Sequence, residues 1–400
     1  AHRDEIGHGT FLASLAAGRE DGENIGAAPD ADLVIVKLKP AKNNIRRGKL
    51  ISENAIAFQA SDVLSGIEYL YRKSLQLGRP IAICIGLGTN DGAHFGESLF
   101  EQYITDISKQ KGTILCIAAG NEGNAQNHLQ GKLLNVGDKN DIEINVSQGN
   151  EGFIFQLWNF PPNRISLSVT SPTGEYIERV PPRDNFYSTT KLTLEETTVT
   201  IGYEFNKNSL SNQYSAVRLD KPTPGIWTIT LYGDIILDGL YYAWLPVKGL
   251  LHEGTFFLNS TSESTITSPA TTSGVISVGA YDISTNNLYV ASSRGPKQFN
   301  KVAPSFVAPG VNVTGLYPSG YGIMSGTSVS AAITTGACAL LLQWAIVNNN
   351  SPSMDTLIAW SYLIQGCSQQ SGFIYPNNQW GYGKLNLLNT FESLKLMPLP

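Results

Sequence analysis

Two patterns of hydrophobic and polar positions alternate along this chain of 400 residues. Short, unbroken apolar runs lie near both ends of the chain, and a segment with helical periodicity, residues 54–75, lies among them. Such runs are typical of buried parallel strands, and we predict strands at residues 33–38, 81–85, 113–118 and 274–279. Strands that alternate with helices predict an α/β fold with a doubly wound, mostly parallel sheet.

The middle of the chain follows the second pattern. Between about residues 131 and 262, short segments alternate apolar and polar positions, and turns rich in glycine and proline separate them. The strands predicted from these segments are 142–146, 153–158, 165–169, 192–201, 216–219 and 226–231. This alternation is typical of antiparallel strands with one buried face, so we predict an all-β, jelly-roll-like insert. The predicted organisation is a first α/β part (1–130), the insert (131–262) and a second α/β part (263–400). In the last part, residues 328–347 are small and apolar, which predicts a central buried helix.

Composition and charge exclude several classes of function. Charged residues make up 15% of the chain and its formal net charge is −5, so binding to nucleic acid is not expected. The most apolar stretch, 337–347, is too short to span a bilayer, and no membrane segment is predicted. The four cysteines are Cys84, Cys116, Cys338 and Cys367. They lack ligand-like spacing and lie mostly in apolar runs, so neither a zinc site nor a disulfide framework is predicted.

The first motif with candidate chemistry is Asp4-Glu-Ile-Gly-His8-Gly-Thr10, which opens a helical pattern. Glycines on both sides of His8 permit a tight backbone turn that leaves the imidazole accessible. A histidine in this position is suited to act as a general base if an acid holds its second ring nitrogen. Taken alone, the motif is also explained by a surface or capping histidine.

The second motif is Ile117-Ala-Ala-Gly-Asn121-Glu-Gly-Asn124, where a predicted strand runs directly into glycine and asparagine. The side-chain amide of Asn121 is suited to donate a hydrogen bond to a developing oxyanion. The alternative is a simple turn at the end of a strand, where asparagine and glycine are frequent.

The third motif is a glycine-punctuated loop that leads into the predicted central helix, Gly322-Ile-Met-Ser-Gly-Thr-Ser328-Val-Ser-Ala-Ala332. Ser328 lies at the positive end of that helix, where backbone N–H groups point outward. Its hydroxyl is suited to be a nucleophile and its own N–H to be an oxyanion donor. Ser325 and Ser330 compete for this role, and the spacing to Gly326 favours Ser328. The alternative is an N-cap serine.

Taken together, the order His, Asn, Ser and the sequences around these residues resemble the subtilisin-like serine proteases (subtilases), over about residues 1–130 and 263–400. The resemblance implies that His8 is the general base, Ser328 the nucleophile and Asn121 the side-chain oxyanion donor. It also implies two substrate-binding segments. An extended substrate pairs by β-addition with the first segment, which is Gly86, Leu87 and Gly88. The second segment, which is Ala118, Ala119 and Gly120, forms a wall of the pocket for the residue before the scissile bond.

The position of the insert and its series of short alternating strands resemble those of the Csp-type germination proteases of spore-forming clostridia. That resemblance implies a serine endopeptidase that activates a spore cortex hydrolase precursor by limited proteolysis, and it implies location in a bacterial spore. A subtilase outside that group is expected to be secreted. No cofactor is required by the implied chemistry. Subtilases often carry structural calcium, although the sequence has no EF-hand-like loop.

The triad acid is expected outside this sequence, because the family's catalytic aspartate lies upstream of the histidine motif and Asp4 matches a different acidic position. We expect it on a separate N-terminal fragment or propeptide, on a strand that pairs beside residues 33–38 or 81–85. Two rival functions remain. One is a catalytically impaired pseudoprotease that binds and regulates a partner, and the other is a binding role centred on aromatic residues of the insert: Tyr203, Tyr214, Trp227, Tyr241, Tyr242 and Trp244.

Overall fold

The computed structural model describes residues 3–19, 25–205, 212–296 and 302–396. The chain divides into two compact units, each built from separate segments of sequence. Unit 1 consists of Ala1–Lys39, Ala60–Asn124 and Glu263–Pro400, and unit 2 consists of Pro40–Gln59 and Ala125–Ser262. The middle segment of the chain therefore enters unit 2 at Ala125 rather than at residue 131.

Within the described residues, the chain forms seven α-helices and seventeen strands. The helices are α1 (His8–Ala17), α2 (Asn43–Gly48), α3 (Ala60–Leu77), α4 (Leu99–Ser108), α5 (Thr327–Leu342), α6 (Thr356–Gly366) and α7 (Leu387–Leu396). The strands are β1 (Ile81–Ile85), β2 (Thr113–Ala118), β3 (His128–Lys132), β4 (Lys139–Val146), β5 (Gly152–Asn159), β6 (Arg164–Thr170), β7 (Tyr176–Val180), β8 (Phe186–Lys191), β9 (Thr198–Phe205), β10 (Gln213–Asp220), β11 (Gly225–Ile235), β12 (Leu240–Trp244), β13 (Phe256–Phe257), β14 (Ile276–Tyr281), β15 (Phe306–Pro309), β16 (Val313–Tyr317) and β17 (Gly320–Met324).

Unit 1 is built on a parallel sheet with the strand order β1-β2-β14-β15. Successive residues of β2 point to opposite faces. Ile114 packs with residues of α5 and α6 on one face, and Leu115 packs with residues of α3 and α4 on the other. Helices therefore cover both faces, which explains why the unbroken apolar run of β2 is buried at every position.

The central helix of unit 1 matches the predicted range, residues 328–347, to within one residue. A π-helical turn, Gln343–Val347, continues α5, and the combined 21 residues are long and apolar enough to cross a membrane by length and composition. However, 67% of its most apolar window is buried inside the protein. The apolar character of this helix is thus accounted for by its place in the core, as expected for the central helix of an α/β domain.

Residues 33–38, predicted as a strand, are extended but form no strand ladder in the described part of the chain. Their side chains still alternate. Val36 contacts Gly66 of α3, whereas Leu33 and Ile35 are 51% and 65% exposed. The alternation is that of a half-buried strand, and the prediction of a ladder is wrong because a ladder also needs a hydrogen-bonding neighbour. The strand β1 lies at one edge of its sheet, with β2 as its neighbour.

Residues 40–59 also differ from their prediction, because they belong to unit 2 and not to the first α/β part. The helix predicted from residue 54 starts later, at Ala60. The preceding backbone is engaged elsewhere, since the N–H group of Ala41 donates to the carbonyl oxygen of Ala57 at 2.8 Å. A peptide group bonded in this way is not available to a helix ladder.

Unit 2 contains two antiparallel sheets, with the strand orders β3-β12-β5-β10-β9-β8 and β13-β4-β11-β6-β7. Inward-facing residues from both sheets form one hydrophobic cluster, which includes Phe155 and Trp227. Residues 192–201, predicted as one strand, are divided, because Leu192 N–H donates to Thr197 O and closes a turn before β9 begins. The remaining predicted segments of the insert fall on β4, β5, β6, β10 and β11.

The aromatic residues considered for ligand binding are mostly buried. The hydroxyl group of Tyr203 donates to Val180 O, and Trp227 Nε1 donates to Thr223 O, so their polar atoms are used within unit 2. Only Tyr214 of the six is half-buried, and the other five are at most 4% exposed. Buried rings cannot stack on a sugar in solution, so these residues do not form the aromatic surface that the binding role requires.

Candidate active site

His8 begins α1, and the residues before it build the start of that helix. Gly7 has a φ of +87°, and a Cβ atom there would lie 2.6 Å from the Tyr317 ring, so glycine fits this turn. Asp4 Oδ1 accepts from the Gly7 N–H at 2.8 Å, and Asp4 Oδ2 accepts from the Thr10 N–H at 2.9 Å. The Gly7 bond contributes most to lowering the pKa of Asp4 to about 2. Asp4 therefore serves the helix start as an anion.

The nucleophile–base pair comes from two distant parts of the sequence. His8 Nε2 and Ser328 Oγ lie 3.1 Å apart, within hydrogen-bonding distance. Ser328 is the second residue of α5 and is 6% exposed. Burial lowers the pKa of His8 below its ordinary value of 6.5, and the charge of Asp4 partly opposes this effect. A lowered pKa keeps the imidazole neutral near pH 7, which is the form that accepts a proton.

Asn121 follows β2 and is oriented by the start of α5. Its Oδ1 accepts hydrogen bonds from the N–H of Thr327 at 3.0 Å and from Thr327 Oγ1 at 3.2 Å. Because two donors meet Oδ1, the amide orientation is fixed and Nδ2 points the other way. Thr327 was not predicted as a functional residue. The signal available for it was its place directly before Ser328 in the third motif.

Asn121 Nδ2 and Ser328 Oγ face the same small space. A Cβ atom placed on Gly326 would lie 3.3 Å from Asn121 Nδ2 and 3.5 Å from Ser328 Oγ. Gly326 therefore keeps open the region where a substrate carbonyl group would meet Ser328 Oγ with its carbon and Asn121 Nδ2 with its oxygen. The N–H group of Ser328 belongs to the first turn of α5, where the helix itself supplies no acceptor. Two N–H donors are thus available beside one hydroxyl nucleophile.

The first predicted substrate-binding segment, Gly86, Leu87 and Gly88, lies directly after β1. A Cβ atom on Gly86 would lie 3.2 Å from Ser328 Cβ and 3.4 Å from His8 Cε1, so this backbone passes next to the nucleophile–base pair. The side chain of Leu87 packs against the core formed with α3 and α4. A substrate that pairs with this segment by β-addition, as the resemblance implies, would use its backbone.

The second predicted segment, Ala118, Ala119 and Gly120, lies at the end of β2. The side chains of Ala118 and Ala119 belong to the core, on opposite faces of the sheet, so a pocket at this position would be bordered by the backbone rather than by these side chains. Gly120 N–H donates to Thr327 Oγ1 at 3.1 Å. Ala119 O accepts from the N–H of Thr267 at 3.0 Å. Thr267 is a further residue at this site that the sequence motifs did not indicate.

Among the described residues, no group of three or more His, Cys, Asp or Glu side chains is placed to hold a metal ion. The four cysteines are free thiols. Burial raises the pKa of Cys84 and of Cys367 to about 12, which keeps both thiols protonated and poor metal ligands.

A serine hydroxyl paired with a histidine on a parallel α/β sheet defines a serine hydrolase. The subtilase family matches residues 1–150 and 254–383. The chain belongs to this family of subtilisin-like serine proteases. Among solved structures, the CspB protease of Clostridium perfringens is similar to it, with a TM-score of 0.88 and 30% identity, over 99% of this chain and 83% of that protein.

Two curated relatives share shorter segments with this chain. The serine protease AprX of Bacillus subtilis is 39% identical over 100 residues, which is 20% of this chain and 23% of AprX. The minor extracellular protease Vpr of Bacillus subtilis is 28% identical over 118 residues, which is 26% of this chain and 14% of Vpr. The chain thus matches less than a quarter of the length of each of these relatives.

Proposed function

We propose that this protein is a serine endopeptidase in which Ser328 attacks the peptide bond and His8 is the general base. The observation that carries the proposal is the distance of 3.1 Å between His8 Nε2 and Ser328 Oγ. As Oγ bonds to the scissile carbonyl carbon, its proton moves to Nε2. The leaving amine then takes that proton, and the acyl group remains on Ser328. A water molecule, deprotonated by His8, hydrolyses the acyl-enzyme and restores the serine.

Asn121 and the backbone of Ser328 stabilise the negative charge of the tetrahedral intermediates. The charge develops on the former carbonyl oxygen, in the space bordered by Asn121 Nδ2 and Gly326. Thr327 holds Asn121 by two hydrogen bonds before the substrate arrives. Preorganised donors of this kind do not have to reorient during the reaction, which is the main source of their effect. Labelling of Ser328 by a serine-directed fluorophosphonate tests the proposal.

The carboxylate that orients His8 comes, in this proposal, from a segment outside this sequence. Among the described residues, Ser328 is the hydrogen-bond partner of the His8 ring, and both oxygens of Asp4 already accept hydrogen bonds from the start of α1. Residues 33–38 and β1 support the proposal, because both pack against α3. Among the described residues, 33–38 join no ladder and β1 has a ladder neighbour on one side only. A strand added there would bring its own side chains to the sheet beside His8.

Mass spectrometry of the active protein tests this source of the acid. We expect a longer chain or a companion polypeptide in addition to these 400 residues. We expect the 400 residues alone to be slower by on the order of 10⁴, the loss that follows when a histidine base is left without its acid. Full activity of the 400 residues alone contradicts the proposal. Absence of activity even with the added segment favours the pseudoprotease.

The charge of Asp4 predicts a shift in the pH dependence. His8 acts as a base only when neutral, so kcat/KM rises as the pH rises through the pKa of His8. The Asp4 charge raises that pKa against the effect of burial. Asp4→Asn keeps an acceptor for the helix start and removes the charge, so we expect the acidic limb to move to lower pH. Glu5→Gln is the matched control, and an equal shift in both variants contradicts the assignment.

We infer further that the insert is a jelly roll. The strand orders β3-β12-β5-β10 and β4-β11-β6-β7 support this. Apart from β6 and β7, which are neighbours in one sheet, successive strands of this set alternate between the two sheets, as they do in a double Greek key. In this interpretation the hairpin β8–β9 and the short strand β13 extend the edges of the two sheets.

The physiological role that we propose is activation of a spore cortex hydrolase precursor by limited proteolysis. The similarity to the CspB protease, which extends over 99% of this chain, supports a role of this kind and location in a bacterial spore. The test is incubation with such a precursor. We expect one cut that the Ser328→Ala variant does not make, whereas degradation at many sites contradicts limited proteolysis and favours a secreted, degradative enzyme.

A further inference from the structure

Four aliphatic side chains are exposed on two loops of unit 2. Leu134 and Val136 lie between β3 and β4, and their exposed fractions are 69% and 66%. Ile235 ends β11 and Leu237 follows it, with exposed fractions of 52% and 77%. We call these four residues the aliphatic patch. Because a cluster of large apolar side chains is unfavourable in water, such a cluster on a surface often marks an interaction site.

The two loops that carry the aliphatic patch lie side by side. Leu133 N–H donates to Gly239 O at 3.0 Å, and Gly137 N–H donates to Gly233 O at 2.8 Å. The aliphatic patch lies between these two backbone hydrogen bonds, with two of its residues on each loop. Its four side chains are therefore neighbours and form one surface.

The direction of the side chains on the second loop follows from the residue between them. Ile236 packs against the hydrophobic core of unit 2. Successive residues of an extended chain point to opposite sides, so Ile235 and Leu237 point away from that core. Their exposure is thus a consequence of the position of Ile236.

Further hydrogen bonds hold both loops in this conformation. Asp138 Oδ2 accepts from the N–H groups of Leu134 at 3.0 Å and of Asn135 at 2.8 Å. Asn163 Oδ1 accepts from the N–H group of Leu237 at 2.8 Å, and Asn163 itself is fully buried. The loops cannot turn the aliphatic patch toward the core of unit 2 without breaking these bonds.

Basic side chains border the aliphatic patch. Lys132 ends β3 and Lys139 begins β4, so they flank the first loop on both sides, and both are exposed. Arg164 lies opposite Ile235 in the ladder between β6 and β11. Cationic groups beside an apolar surface complement the anionic headgroups of a membrane.

Three aspartates lie in the same segments, and each of them is engaged locally. Asp138 holds the first loop as described above. Asp238 Oδ1 accepts from Asn163 Nδ2 at 2.7 Å, and Asp234 forms an ion pair with Arg179. With Arg179 included, four cations and three anions lie around the aliphatic patch, whereas the whole chain has a formal net charge of −5. This region is therefore positive relative to the rest of the chain.

The size of the aliphatic patch favours a lipid surface over a second copy of this chain. Four aliphatic side chains expose a few hundred Å², whereas each partner buries about 800 Å² in a stable protein–protein interface. The patch by itself is thus too small to hold a dimer together. A bilayer needs no complementary shape, and each aliphatic side chain that enters it contributes through the burial of its own area.

We propose that the aliphatic patch attaches this protein to a phospholipid bilayer with anionic headgroups. The four side chains enter the boundary between headgroups and acyl chains, while Lys132 and Lys139 remain among the headgroups. The attachment is peripheral and uses no membrane-spanning segment. It does not involve Ser328 and is therefore independent of the proposed protease function.

Cosedimentation of the full-length protein with vesicles tests the proposal. The vesicles consist of phosphatidylcholine alone or of an equal mixture of phosphatidylcholine and phosphatidylglycerol. We expect the protein to bind the mixture, and to bind phosphatidylcholine alone about 10-fold more weakly because each lysine gains from anionic headgroups. Failure of the wild type to bind the mixture overturns the proposal.

The double variant Leu134→Asp/Leu237→Asp removes half of the aliphatic patch. We expect it to bind the mixture about 100-fold more weakly, because each lost side chain contributes about 10-fold. The matched control is Ile283→Asp/Leu388→Asp, which makes the same charge change in unit 1 at residues that are 63% and 68% exposed. The control should bind as the wild type does, and equal binding by the two double variants contradicts the proposal.

Two further measurements separate the contributions and the alternative partner. Lys132→Gln/Lys139→Gln should lose the preference for the mixture and keep the binding to phosphatidylcholine alone. Thermal unfolding should be the same for all variants, because the replaced side chains are exposed. In analytical ultracentrifugation without vesicles, dimers that Leu134→Asp/Leu237→Asp abolishes would assign the aliphatic patch to a second copy of the chain and overturn the proposal.

Discussion

Replacing Ser328 with alanine is expected to lower kcat by on the order of 10⁶ and to abolish labelling by a fluorophosphonate. The reason is that the hydroxyl forms the covalent bond to the substrate, and no other group within the site replaces it. Its Oγ lies 3.1 Å from His8 Nε2. Binding of a non-cleaved substrate analogue should be nearly unchanged, because the hydroxyl is small and acts mainly in the transition state.

The two serines that compete with Ser328 in the sequence provide the controls. Ser330 Oγ donates to Ala308 O at 2.9 Å and is buried in the core, so it is not available to a substrate. Ser325 Oγ accepts from the N–H of Asn312 at 2.8 Å. We expect Ser325→Ala to keep both labelling and turnover. Labelling that persists in Ser328→Ala would assign the nucleophile to another residue.

The second large effect is expected for Asn121→Ala, which should lower kcat by roughly 10²–10³ with little change in KM. The amide donates only when charge develops on the carbonyl oxygen, so its loss raises the barrier and leaves ground-state binding almost intact. Steady-state kinetics with one peptide substrate give both values. Asn124→Ala is the matched control, because Asn124 belongs to the same motif and is exposed. An unchanged kcat in Asn121→Ala would exclude the role in the oxyanion site.

The features that were predicted most accurately from the sequence are those that depend on a local pattern of residues. The apolar runs at 81–85 and 113–118 match β1 and β2, because a strand buried on both faces must be apolar at every position. The three motifs identified the residues that the fold brings together, His8 with Ser328 and Ser328 with Asn121. In each motif, a glycine within two positions of the polar residue lies at the end of a strand or at the start of a helix.

Features that depend on a distant partner escaped prediction. Residues 33–38 have the alternation of a strand, but whether they join a ladder depends on a neighbour that their own sequence does not encode. Thr267 and Thr327 are ordinary threonines in the sequence. They gain their importance only from contacts with Ala119 and Asn121, which lie 148 and 206 positions away along the chain. Local patterns carry no signal for such contacts.

The placement of the insert has a consequence for the order of assembly during synthesis. Cys116 of β2 pairs with Ile276 of β14, so the central sheet closes only after the intervening chain has left the ribosome. The ends of that chain are hydrogen-bonded to each other in unit 2, where Phe257 N–H donates to Gln126 O. A unit 2 that folds first therefore shortens the loop that the sheet must close and lowers the entropic cost of β2 meeting β14. Loss of core contacts in the insert should reduce the yield of folded protease more than the turnover of each folded molecule.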